Sequence, residues 1–279
     1  MNVGTLYIVA TPIGNLEDLT LRALRILREV DLIAAEDTRH SRKLLTHFGI
    51  SKPLTSYFDH NKNIKGAQIL AKLKDGLSVA LISDAGTPCI SDPGYQLVRD
   101  AVASGIRVVP VPGACAAMAA LSASGLPTDS FAFEGFLPSR PGKRRERLAA
   151  LKGETRVMVF HEAPTRLAAS LDDVLVTLGD REMVLARELT KVYEEFLRGK
   201  VSEVIRMIEG RAVKGEIVLL IAPAPANDAR DQDLVPALLE RYLDGECMSV
   251  KDAVKRVSEE TGESRSRVYQ EALKLGKNK

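Results

Sequence analysis

Apolar residues along this chain fall into short runs separated by amphipathic stretches. Leu6-Tyr7-Ile8-Val9-Ala10, Leu32 to Ala35, Val79 to Ile82 and Val108 to Val111 are unbroken apolar runs of strand length, which need cover on both faces. Between them, Leu19 to Leu27, Ile64 to Leu73 and Val98 to Ala103 repeat at helical spacing, and Thr20 is placed to cap the first. This alternation predicts an α/β fold: a mostly parallel sheet with helices on both faces.

The predicted strand Phe131 to Phe136 is followed by a polar, turn-rich stretch, Ser139 to Arg147, which reads as a basic loop. Alternation then resumes, with strands at Val157 to Phe160, Met183 to Ala186 and Ile217 to Ala222 and a helix at Leu167 to Leu178. A first α/β domain over 1–124 and a second over 125–226 are expected. Ala222 to Asp228 has the composition of a linker. Residues 232–279 carry only helical patterns (Val235 to Leu243, Val250 to Thr261, Ser266 to Leu275), a small helical tail of helix-turn-helix type.

Composition adds little. The 279 residues are 45% hydrophobic but only 5% aromatic, without Trp, so the core must be aliphatic and stacking is not expected to be the main grip on a ligand. A net charge of +2 leaves any nucleic-acid contact to a local patch. Cys89, Cys115 and Cys247 are too scattered for a zinc site or disulfide framework, and the four histidines match no metal spacing. No run approaches the roughly 20 apolar residues of a membrane span. A cytoplasmic protein without a metal is expected.

Three loops follow predicted strands, where open α/β sheets bind ligands. They are Thr11-Pro12-Ile13-Gly14-Asn15, Ser83 to Gly94, and Pro112-Gly113-Ala114-Cys115-Ala116. Asp92-Pro93 in the second reads as a helix cap and first turn. Neither G-x-G-x-x-G nor G-x-x-x-x-G-K-[ST] is present, which argues against a dinucleotide fold of the usual kind and against a P-loop. Taken alone, the loops imply a nucleoside-like ligand.

The first loop with its strand, Ala35-Glu36-Asp37-Thr38-Arg39, Ser83 to Gly94, Phe133 to Pro138, Arg187-Glu188-Leu189-Thr190-Lys191 and Lys214-Gly215-Glu216 occur in order. Together they resemble the ribosomal RNA small subunit methyltransferase I branch of the tetrapyrrole methylase superfamily. The resemblance implies a homodimer of class III methyltransferase fold, with S-adenosyl-L-methionine in a cleft between two α/β domains. It implies methyl transfer to the 2′-hydroxyl of a cytidine in the decoding region of small-subunit ribosomal RNA; the assembled subunit is the expected partner, with free RNA the alternative. Cofactor contacts would be Pro12, Ile13, Asp84, Gly86, Thr87, Ile90, Cys115 and Ala116, with Phe160 and Gly215 from the second domain. His161, Thr165 and Cys115 depart from the residues usual in that branch.

A 2′-hydroxyl is a poor nucleophile at neutral pH, so a base or an alkoxide-stabilising cation is needed. Glu36, Asp37, Glu188 and Lys191 are candidates: Asp37 or Glu188 as base, Lys191 as stabiliser. Arg140, Lys143, Arg144 and Arg145, with Arg39 and Arg166, are candidate RNA contacts, and the tail adds Arg265, Arg267, Lys274, Lys277 and Lys279. A methylase acting on a tetrapyrrole and a non-catalytic RNA- or ribosome-binding protein are the competing readings; the basic residues favour a polyanionic substrate over the first.

Overall fold

The computed structural model describes residues 3–225, 235–245 and 248–277; Cys247, Lys279 and the linker residues Asn227 and Asp228 lie outside them, as does the Lys277 side chain. The chain divides into two compact units, one ending at Pro223 and one running from Ala224.

The first unit holds two five-stranded sheets. Sheet one comprises β1 (Thr5–Val9), β2 (Leu32–Ala35), β3 (Leu54–Ser56), β4 (Val79–Ile82) and β5 (Arg107–Val111), all parallel, in the order β3-β2-β4-β1-β5. On one face lie α1 (Leu21–Glu29) and α2 (Thr38–His47), packed through Leu27 and Leu45. On the other lie α3 (Lys62–Lys74) and α4 (Tyr95–Ala103), packed through Leu73 and Leu97. Thr20 caps α1 by accepting from the Ala23 N–H at 3.1 Å, as its position predicts. Asp92 does not cap α4: the helix starts three residues later, behind Gly94.

Sheet two comprises β6 (Phe131–Phe136), β7 (Val157–Glu162), β8 (Glu182–Arg187), β9 (Glu195–Lys200) and β10 (Ile217–Ile221), in the order β6-β7-β10-β8-β9. Only the β6–β7 pair is parallel; the remaining pairs are antiparallel. The expected parallel sheet is therefore corrected here. A strand buried on both faces reads as an unbroken apolar run whichever way its neighbour points. β9, EFLRGK, is an edge strand whose polar pattern hides it.

One face of sheet two carries α6 (Pro141–Ala150), α7 (Leu167–Leu178) and α8 (Val201–Ile208), packed through Leu148, Leu171 and Val204 onto Met158, Phe160 and Leu219. The other face carries α5 (Ala116–Ser122), which continues the third loop of sheet one and buries Ala117, Ala120 and Leu121 against Val159, Val184 and Val218. Its small side chains let the helix sit close to the sheet. The expected basic loop is corrected too. Residues 141–150 form α6, with Pro141 in the first turn, where a missing N–H is harmless.

The second unit has helical residues 235–245 (α9), then α10 (Val250–Thr261) and α11 (Arg265–Lys277), around its own core of Leu239, Tyr242, Val257 and Val268.

Candidate functional site

The loops after β1, β4 and β5 are adjacent because those strands are neighbours in sheet one. Backbone bonds tie them together. Thr11 and Gly86 exchange N–H···O bonds at 2.9 and 3.0 Å, and the Thr87 hydroxyl donates to the Ala114 carbonyl at 3.0 Å. Gly113 is held so near β1 that a Cβ there would come within 2.9 Å of the Ala10 Cβ, so only glycine allows the approach.

These loops form one wall of a cleft of about 440 Å³. The opposite wall comes from the ends of β7, β8 and β10: His161 to Pro164, Leu189, and Gly215 to Val218. Ile13, Asp84, Gly86, Thr87, Ile90, Cys115, Ala116 and Gly215 all line this cleft. Pro12 is buried beneath it. Phe160 is a correction: its side chain is fully buried on the α6–α8 face of sheet two, because residues along β7 alternate and it is His161 that faces the cleft.

The sheet-one wall is acidic. Burial, with Asp92 and Asp84 nearby, raises the Glu36 pKa; burial also raises that of Asp92, opposed by a hydrogen bond from Ser83 and assisted by Asp84. Asp84 accepts from the Asp37 N–H at 3.0 Å. Asp37 itself is the N-cap of α2 and pairs with Arg39 at 2.9 Å, and the Arg39 side-chain and backbone donors hold its carboxyl at about 2. That proton affinity suits a cap better than a base, and Asp37 does not line the cleft.

Glu216 of the opposite wall belongs to an ion network at the end of β8, whose other members, Glu188 and Lys191, do not line the cleft. Lys191 Nζ lies 2.8 Å from Glu188 Oε1 and 3.2 Å from Glu216 Oε2, and Glu188 Oε1 also accepts from the Glu216 N–H at 3.0 Å. The segment is a strand end followed by a turn, with positive φ at Glu188 and Thr190. Strain of this kind gathers where a site fixes its backbone. Gly215, at φ +90°, has no Cβ because the Glu188 carboxyl occupies that space; Gly14 likewise yields to the Lys191 stem. The Lys191 hydrogen bond lowers the Glu188 pKa. Burial depresses that of Lys191, but its bonds to Glu188 and Glu216 outweigh burial and the net shift is upward. Lys191 thus stays cationic.

The proposed RNA contacts separate into two kinds. Arg140, Lys143 and Arg145 are exposed on the first turns of α6, and Arg39 is exposed on α2. Arg144 is a correction: it is buried, 2.7 Å from Asp173, and donates to the Ala169 carbonyl, so it clamps α6 to α7. Arg166 is largely tied down as well, 2.5 Å from the buried Glu162, which also accepts from the Ser170 hydroxyl. In the tail, Arg267 and Lys274 pair with Glu263 and Glu271.

The cleft also holds residues that the pattern of the sequence did not single out: Asp92, Glu216, Phe136 and His161. Lys214-Gly215-Glu216 was the available signal for Glu216. Asp92 was masked by its likeness to a helix cap, and Phe136 by a break in strand alternation.

A two-sheet α/β unit with its cleft between the sheets is the architecture of class III methyltransferases, and the fold comparisons agree. Uroporphyrin-III-C-methyltransferase from Thermus thermophilus superposes with a TM-score of 0.56 at 22% identity, covering 79% of this chain and 95% of that one. Diphthine synthase superposes with a TM-score of 0.59 at 12% identity, covering 78% and 90%. Residues 5–205 match the family Tetrapyrrole (Corrin/Porphyrin) Methylases, and residues 228–276 match the RsmI C-terminal HTH domain. Ribosomal RNA small subunit methyltransferase I of Pseudomonas aeruginosa is 49% identical over 276 residues, covering 98% of both chains; that of Escherichia coli O157:H7 is 48% identical over 275, covering 97% and 95%. The chain belongs to the tetrapyrrole methylase family and, within it, to the ribosomal RNA small subunit methyltransferases I.

Proposed function

We propose that this enzyme transfers a methyl group from S-adenosyl-L-methionine to the 2′-hydroxyl of a cytidine in the decoding region of small-subunit ribosomal RNA, acting as a cytoplasmic homodimer on the assembled subunit. The observation that carries the reading is the cleft itself: loops of small residues and three carboxylates line one wall, and Glu216, which pairs with Lys191 and through it with Glu188, lines the other. The carboxylates of Glu36, Asp84 and Asp92 suit a ligand bearing an ammonium, a sulfonium and ribose hydroxyls. Ile13, Ile90 and Ala116 supply apolar surface for its remaining atoms. Val192 and Tyr193, 93% and 74% exposed beside the network, support a second copy covering them.

When bound, that cofactor supplies a methyl on a sulfonium, which is a good leaving group, so holding the acceptor in line accounts for much of the acceleration. The acceptor oxygen would take that methyl as the cofactor departs as a neutral thioether, and the hydroxyl proton would need a base to receive it. Glu188 is the candidate to take that proton: it does not itself line the cleft, but its carboxylate packs against Gly215, which does. Lys191, held cationic by two carboxylates, stabilises negative charge developing on the acceptor oxygen.

Lys191→Met tests this role, since it keeps the stem over Gly14 and removes the charge. Single-turnover methylation of purified small subunits is expected to slow by about 10²–10³-fold, with cofactor affinity retained. A wild-type rate would remove Lys191 from the chemistry.

A further inference from the structure

Strand β6 has the sequence Phe131-Ala132-Phe133-Glu134-Gly135-Phe136. Strict alternation places Phe131 and Phe133 on one face and residue 136 on the other. The ladder to β7 departs from this. Phe131 lies opposite Val157 and Phe133 opposite Val159, but then the register shifts, so that Gly135 lies opposite Phe160 and Phe136 opposite His161. Gly135, at φ +66°, makes the shift possible. Val157 and Val159 face α5, whereas Phe160 faces α7. The bulge therefore turns Phe136 onto the His161 side, which is the cleft side. Bulges beside active sites commonly re-aim a side chain in this way.

Phe136 is left 57% exposed at the cleft, with its ring centroid 5.5 Å from that of His161 and tilted by 36°. Phe133 buttresses His161 edge-on from behind at 5.3 Å. Burial lowers the His161 pKa, with Glu216 opposing, which favours a neutral imidazole. The result is an aromatic surface of two rings tilted to one another by 36°, buttressed by Phe133 and with Phe136 exposed. From Phe136 the chain passes through buried Leu137 to the exposed Arg140 and Lys143. A ligand that fits has a flat ring joined to a phosphodiester. The three carboxylates lie on the other wall.

We propose that Phe136 and His161 form a stacking platform for the acceptor nucleobase, drawn out of the RNA stack into the cleft mouth while Arg140 and Lys143 hold the adjoining phosphates. This rests on the RNA methyltransferase reading above. An acceptor ribose cannot approach a methyl donor deep in a cleft while its base stays stacked, and enzymes that act within nucleic acid hold the extruded base by stacking. Aromatic stacking contributes about 1–3 kcal/mol per base.

The test uses the full-length protein and its Phe136→Tyr, Phe136→Leu and Phe136→Ala variants. Methylation of purified small ribosomal subunits is measured in single turnovers at saturating S-adenosylmethionine, and cofactor affinity by calorimetry. Phe136→Tyr is expected to stay within about twofold of wild type, because a ring is retained. Phe136→Leu and Phe136→Ala are expected to raise the half-saturating subunit concentration by about five- to 150-fold, with cofactor affinity unchanged. Wild-type behaviour of Phe136→Leu would show that only apolar bulk matters and overturn the platform. A parallel fall in cofactor affinity would overturn it too, by assigning Phe136 to the cofactor. A wild-type protein that binds S-adenosylmethionine yet leaves the subunits unmethylated would instead overturn the RNA reading beneath it.

Discussion

Asp92 and Glu36 carry carboxylates that their surroundings disfavour. Burial raises both pKa values; Asp92 adds to the Glu36 shift, and Asp84 repels both. A folded-state value above the unfolded one means that the group stabilises the fold below its ordinary pKa, near 4. That stabilisation is lost as pH rises through the folded value. At neutral pH the acidic wall is therefore a weakness of the empty fold, relieved by a cationic ligand. Asp92→Asn is expected to stabilise the protein at pH 7.5 by about 0.5–2 kcal/mol, the usual scale when a functional site is relaxed. The advantage should vanish near pH 4. The same change should weaken S-adenosylmethionine binding by about tenfold or more, as for loss of a charged hydrogen-bond partner. Calorimetric melts across pH and a binding isotherm check both halves; a less stable variant with unchanged affinity contradicts the account. Gly215 and Gly14 make a related point at this scale. Each is glycine because a side chain of the ion network occupies the space of its Cβ, a reason that no local turn pattern discloses.

At the scale of elements, α6 shows why the sequence misleads. Along Pro141–Ala150 the buried positions are Arg144 and Leu148, four residues apart on one face. A guanidinium stands where an aliphatic side chain would reveal the helical period, so the stretch reads as a charged loop. Four strands of sheet one were legible because each carries an unbroken apolar run, whereas the short edge strand β3, Leu54-Thr55-Ser56, has none; the ligand loops were legible because Gly and Pro mark them. The direction of sheet two, the polar edge strand β9 and the bulge in β6 were not, since each depends on pairing between distant segments. The Arg144–Asp173 bond, with both partners largely buried, carries its own prediction. Arg144→Leu leaves the Asp173 carboxylate only the more distant Arg145, 3.9 Å away, and is expected to destabilise the fold by about 3 kcal/mol in urea titration, whereas Arg144→Leu/Asp173→Leu should recover much of that loss. A single variant within about 1 kcal/mol of wild type would show that the pair is not a clamp.

For the whole molecule, a net charge of +2 provides no long-range field that would draw in RNA. Affinity for a polyanion has to come from patches, and most cations in the described residues are already engaged within the protein, as Arg144, Arg166, Arg267 and Lys274 are. The exposed set at the start of α6, Arg140, Lys143 and Arg145 (the last also 3.9 Å from Asp173), follows directly from the strand that presents Phe136. If these three each meet a phosphate, neutralising them removes about three contacts. The slope of log affinity against log salt should then flatten by about 2, at roughly 0.7 per contact with single-stranded RNA. Arg140→Gln/Lys143→Gln/Arg145→Gln is accordingly expected to bind small subunits more weakly at low salt and to converge on wild type as salt rises. Its S-adenosylmethionine affinity should not change. Arg144→Leu should do the opposite, lowering stability while leaving the salt slope of the folded protein intact. Filter binding over a salt series separates the two. A triple variant with the wild-type slope would show that RNA reaches the cleft by another path, and would leave Phe136 without the phosphate anchor that its position beside α6 implies.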